Sequence, residues 1–150
     1  MHEYTPDVWV ILEFDAPSLE KPMHKVFGGW YGGFAGSDSW KLNSGITQVR
    51  RDGDWYEFDG YSGSTYRCND HNYHMSGLMH GILAQWQKQA DERGDITIKI
   101  LSLDEVAKLE FLSPWWLKVL GVASGIVLIF ASKLRALAAL LLASGEETKS

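Results

Sequence analysis

The chain has 150 residues, 45% of them apolar and 22% charged, which allows a packed core and excludes wholesale disorder. A formal net charge of -5 excludes a general nucleic-acid binder that grips phosphate, so no nucleic acid is expected as a partner. The single cysteine, Cys68, excludes an intrachain disulfide and a zinc knuckle built on paired cysteines.

The first residues read as no export signal, because a basic n-region is missing and the first apolar run is too short. The N-terminal part is therefore expected in the cytoplasm. Residues 8–14, Val-Trp-Val-Ile-Leu-Glu-Phe, form a β-branched and aromatic run that predicts a buried strand. Residues 23–31 predict a second strand, broken by Gly28-Gly29, and residues 32–39 a glycine-rich loop. Residues 45–51 alternate imperfectly. The Asp52-Gly53 pair before residues 54–58 predicts a hairpin. A turn at Asp59-Gly60 and a strand over 61–68 follow.

The period then changes. Met75, Leu78, Met79, Ile82, Leu83, Trp86 and Ala90 recur at three- and four-residue spacing, which predicts one amphipathic helix. Asn72 or Ser76 is its expected cap. Residues 96–100 alternate as a last strand, and 103–111 read as a short helix. The expected fold class is α+β: an antiparallel β-meander of five to six strands, one amphipathic helix packed on it, and then a C-terminal transmembrane helix.

Tyr4-Thr5-Pro6-Asp7, residues 25–33 (Lys-Val-Phe-Gly-Gly-Trp-Tyr-Gly-Gly), residues 37–47 and residues 62–68 carry a likeness. Over residues 4–94 the chain resembles a group of small, uncharacterised proteins of tailed bacteriophages. The resemblance implies an accessory protein that acts apart from the virion. It brings no active site to transfer and does not reach past Phe111.

Charge divides the chain at residue 110. Residues 1–110 carry a net -7 and residues 111–150 a net +2. The reading is an acidic globular domain over 1–110 followed by a membrane-anchor tail over 111–150. Residues 115–132 span about 27 Å as a helix, close to the hydrocarbon thickness of a bilayer. Trp115 and Trp116 suit the interface, Lys118 can snorkel toward it, and Lys133 and Arg135 mark the other side. Residues 134–143 form a short apolar extension. Gly121 and Gly125 lie four apart, a spacing that permits self-association of two such helices into a homodimer. The competing reading of the tail is a buried core helix. A helix apolar on all sides exceeds what a domain of this size can bury, and the bilayer is preferred. The expected location is a single-pass membrane protein with its N-terminal domain in the cytoplasm, meeting lipid and a protein partner at the inner membrane.

Three constellations bear on chemistry. Cys68, Asp70, His71, His74 and His80 are the densest set of metal-ligating types, and Cys68, His71 and His74 converge if the segment turns tightly. The alternative is a polar strand-to-helix loop. Cys68 just ahead of a helix also allows a thiol nucleophile, against the plainer reading of a small buried hydrophobe. Trp30, Tyr31, Phe34, Asp38 and Asn43 form a candidate ligand-binding rim, against core packing of the aromatics. The glycine-rich segment matches no nucleotide loop, no catalytic residue is assigned and no cofactor is expected. The functional expectation is a membrane-anchored, non-enzymatic binding or regulatory accessory protein. The alternative is a metal-dependent or thiol enzyme centred on Cys68, His71 and His74.

Overall fold

The computed structural model describes residues 1–112, the side chains of Phe34 and of residues 110–112 excepted. The described residues are α+β, with eight strands in two sheets and two helices. The strands are β1 (His2–Tyr4), β2 (Val8–Asp15), β3 (Met23–Trp30), β4 (Ser39–Leu42), β5 (Ile46–Asp52), β6 (Trp55–Gly60), β7 (Ser64–Asn69) and β8 (Thr97–Ile100). Helix α1 is Gly77–Arg93 and α2 is Leu103–Leu112. One sheet has the order β1-β7-β6-β5 and the other β4-β3-β2-β8.

The single meander expected from the sequence is thus two meanders, β2-β3-β4 and β5-β6-β7, each antiparallel. Strand β8 joins β2 antiparallel, whereas β1 pairs with β7 in parallel. The chain changes sheets between β4 and β5, and Asn43 fixes the crossing. Its buried side-chain Oδ1 accepts from Val26 N at 2.9 Å and Gly45 N at 3.3 Å, and its own N–H donates to Val26 O at 2.9 Å.

The β4-β3-β2-β8 sheet is the middle of three layers. Val8, Val10, Leu12, Phe14 and Phe27 meet Met79 and Leu83 of α1 on one face. Trp9, Ile11 and Val26 meet Val49, Tyr56, Phe58, Tyr66 and Cys68 of the other sheet on the opposite face. Burial on both faces explains why residues 8–12 and 14 read as a nearly continuous apolar run rather than an alternating one. Val106 and Leu109 bring α2 into the inter-sheet core beside Val49 of β5. Each large apolar side chain buried this way contributes about 1.5–3 kcal/mol.

Local chemistry sets the boundaries. Ser76 caps α1, its Oγ accepting from Met79 N at 3.3 Å, and Gly94 closes the helix at φ 74° with its N–H on Ala90 O. The Asp52/Trp55 hairpin forms where expected, with Gly53 at φ 59°. The next turn lies later than Asp59-Gly60: β6 runs through Gly60, and Gly63, at φ 84°, donates to Gly60 O at 3.0 Å. Strand β3 is unbroken at Gly28-Gly29, because these glycines admit Pro6 and Met79 close to the backbone. Among the described residues no helix is long and apolar enough to cross a membrane. The transmembrane helix expected over 115–132, the extension 134–143, Trp115, Trp116, Lys118, Gly121, Gly125, Lys133 and Arg135 lie outside the described residues.

Candidate functional site

The loop between β3 and β4 is held in place by hydrogen bonds to its backbone. Tyr31 N donates to Asp7 Oδ2 at 2.9 Å and Gly32 N to Asp38 Oδ1 at 3.2 Å. Inside the loop, Gly33 N donates to Ser37 O at 2.9 Å and Gly36 N to Gly33 O at 2.8 Å. Gly32, Ala35 and Gly36 all have positive φ. For Ala35, at φ 65°, that conformation costs about 1–2 kcal/mol, which the surrounding hydrogen bonds must offset. At the base, Trp30 is half-buried, its Nε1 donating to Thr5 O at 2.9 Å and its ring edge-on to Tyr4. Lys41 Nζ lies 4.8 Å from the Tyr4 ring centre. Tyr31 is 51% exposed.

Of the five residues of the sequence-derived rim, the structure brings Trp30, Tyr31 and Asp38 to this loop. The Phe34 backbone sits in a single 3-10 turn there, and its side chain lies outside the described residues. Asn43 is buried at the sheet crossing and is occupied with backbone.

The set Cys68, His71 and His74 is distributed differently. Cys68 is wholly buried in the inter-sheet core, and burial pushes its thiol pKa well up. A nucleophilic thiolate needs the opposite shift and an approach route. His74 is exposed, beyond the turn that His74 N makes with Asn72 O. His71 instead stands with two aspartates. Its Nε2 is 3.5 Å from Asp54 Oδ2 and 3.6 Å from Asp70 Oδ1. Among the described residues, Asp54, Asp70 and His71 are the three metal-ligating side chains whose donor atoms come together, all within 4.8 Å.

The backbone explains this grouping. Trp55 of β6 is opposite Asn69 of β7, so the next residues outward, Asp54 and Asp70, meet at the sheet's end, and Asp70 N donates to Asp54 O at 2.9 Å. Asn69 Oδ1 then accepts from His71 N at 3.0 Å and turns the chain. Arg51 lies 4.5 Å over the Tyr56 ring, donates from Nε to Gly53 O at 2.9 Å, and holds Asp70 Oδ2 from Nη2 at 2.7 Å. The other Asp70 oxygen, Oδ1, is shielded from solvent and has no hydrogen-bond partner. Asp70 and His71 were visible in the sequence as ligand types. Asp54 lies outside the ligand-type cluster of the sequence, and the β6–β7 register is the signal that joins it to them. Comparison with protein-family models, with characterised proteins and with solved structures finds no match to this chain.

Proposed function

We propose that the chain is a membrane-anchored binding module, in which the N-terminal domain presents the β3–β4 loop to a protein partner and the tail fixes it to the bilayer. The observation that carries this reading is the loop itself. Asp7 and Asp38 hold its backbone, and Tyr31 stands exposed on it. An exposed aromatic on an already ordered loop binds with little further entropy loss, which is how interface anchors gain affinity. The buried core of the described domain extends to Leu109, and α2 ends at Leu112, three residues before Trp115. So short a connection would keep the domain near the headgroups. On the resemblance to small phage proteins, the proposed setting is the host inner membrane with the domain on the cytoplasmic side. A homodimer through Gly121 and Gly125 belongs to the same proposal.

The test uses the full chain in membranes. A photo-crosslinking residue at Tyr31 is expected to give one discrete protein adduct in the membrane fraction, weakened by Asp38→Ala. Replacing Leu128 and Ile129 with Arg, at about 2.5–3.5 kcal/mol each, is expected to move the chain to the soluble fraction. An adduct pattern indifferent to Asp38→Ala would sink the loop as the binding element. Unchanged fractionation of the double variant would sink the anchor, and digestion of the domain by protease added to intact cells would reverse the orientation.

A further inference from the structure

We propose that Asp54, Asp70 and His71 form a binding site for one first-row divalent cation of the Zn²⁺ class. The proposal does not rest on the binding-module reading. Two observations carry it. The first is distance. A charge-assisted N–H···O bond is about 2.7–2.9 Å long, yet His71 Nε2 stands 3.5 Å and 3.6 Å from its two carboxylate oxygens. Two donors on one tetrahedral ion at metal–ligand lengths of about 2.0–2.2 Å are about 3.3–3.6 Å apart. The imidazole is therefore too far from the carboxylates to be hydrogen-bonded to them and at the spacing of ligands sharing an ion.

The second is the state of Asp70. Its Oδ2 is taken by Arg51, while Oδ1 faces His71, shielded from solvent and without a hydrogen bond. A carboxylate oxygen in that position lacks compensation for its lost hydration, and a cation between it and His71 supplies it. The charges agree. Two aspartates against the one guanidinium of Arg51 leave an excess of negative charge, which suits a dication.

The donor set selects the class. One nitrogen and two carboxylate oxygens fit Zn²⁺, Co²⁺ or Ni²⁺, whereas Ca²⁺ and Mg²⁺ require more oxygens. The Asp54 and His71 side chains are 66% and 74% exposed, so a fourth position is open to water, the pattern of a three-ligand site. Arg51 acts behind the ligands: by holding Oδ2 it orients Oδ1.

The probes are Co²⁺, followed by its d–d absorption, and Zn²⁺ in competition, on the tag-free full chain in detergent. One equivalent of Co²⁺ is expected with a tetrahedral spectrum that Zn²⁺ displaces. His71→Ala and Asp54→Asn are expected to weaken binding by about tenfold or more, while His74→Ala leaves it unchanged. Both ligand variants sit on exposed turns, and unaltered far-ultraviolet dichroism separates loss of the site from loss of the fold. No saturable Co²⁺ or Zn²⁺ binding below about 1 mM would overturn the proposal. So would binding that His74→Ala weakens as much as His71→Ala does.

Discussion

The hydroxyl of Tyr73 donates to the carbonyl of Leu101 at 2.7 Å, joining the turn before α1 to the segment between β8 and α2. The same oxygen accepts from Ile11 N at 3.1 Å, and Leu101 N donates to Ile11 O at 3.0 Å. One side chain thus satisfies backbone groups where the β2–β8 ladder ends. The Tyr73 ring stands edge-on to Trp9 with centroids 4.7 Å apart. Burial is the main cause that pushes the Tyr73 pKa up to about 12. The phenol therefore stays protonated, as its donor role requires, throughout the range in which the protein is handled.

Removing that hydroxyl strands a carbonyl and an amide at the edge of the core. Tyr73→Phe is expected to destabilise the domain by about 1–3 kcal/mol, read as a lower denaturant midpoint with unchanged slope. A midpoint equal to the parent's would show that water replaces the hydroxyl there.

Much of this fold was legible because its periods are local. The α1 stripe, the Asp52-Gly53 hairpin and the apolar run of β2 each announce themselves within one continuous segment. What the sequence concealed is pairing between distant segments. Strand β1 has three residues, two of them exposed, and exists because β7 lies beside it in parallel. Strand β4 has four residues in a polar, glycine-flanked stretch, and only Trp40 is buried. Asn43 is expected at the ligand-binding rim and is found at the sheet crossing, because nothing nearby in sequence shows that Val26 would offer it an N–H. The site followed the same rule. The aromatic loop and the His71 region were visible as segments, while the partnership of Asp54 with Asp70 depends on strand register. Cys68 could be read either as nucleophile or as core, and its position facing the middle sheet makes it core.

Gly29 makes a second stability test. A Cβ there would lie 2.5 Å from Met79 Sδ and 3.2 Å from Val8 Cγ2. Met79 is fully buried between α1 and the sheet, so it has little room to withdraw. Gly29→Ala is expected to cost about 1–3 kcal/mol by overpacking. Gly81 on α1 is the control, because a Cβ there meets nothing within 4 Å and Gly→Ala in a helix gains about 1 kcal/mol. Equal midpoints for the two variants would contradict the α1 packing described above.

The described residues hold a closed core of their own, from Val8 to Leu109. A chain ending at Leu112 is expected to be soluble, monodisperse and cooperative in thermal unfolding. Aggregation of that shortened chain, cured by restoring residues 113–150, would mean that the tail covers part of the domain and would revive the core-helix reading of it.

The start of α2 supplies a pH test whose sign is fixed by geometry. Ser102 and Glu105 form a reciprocal cap: Glu105 N donates to Ser102 Oγ at 3.3 Å and Ser102 N donates to Glu105 Oε2 at 2.8 Å. Lys99 Nζ reaches the other Glu105 oxygen at 2.6 Å. The Lys99 ammonium first, and then the Ser102 N–H, hold the Glu105 carboxyl at about 2, below its ordinary 4.5. A carboxyl lowered by folding stabilises the native state fully above its unfolded value, where both states are ionised. As pH falls from 4.5 toward about 2, the unfolded chain takes up a proton that the folded chain refuses, and the stabilisation drains away. Glu105→Gln keeps an oxygen to accept from Ser102 N but loses the charge facing Lys99. The parent is therefore expected to be the more stable of the two at neutral pH, with the gap closing through that acid window. Because the pair is exposed, added salt should narrow the neutral gap as well. A difference in unfolding midpoint that stays constant from pH 7 to about 2 would mean the ion pair with Lys99 contributes nothing and the cap alone fixes the start of α2.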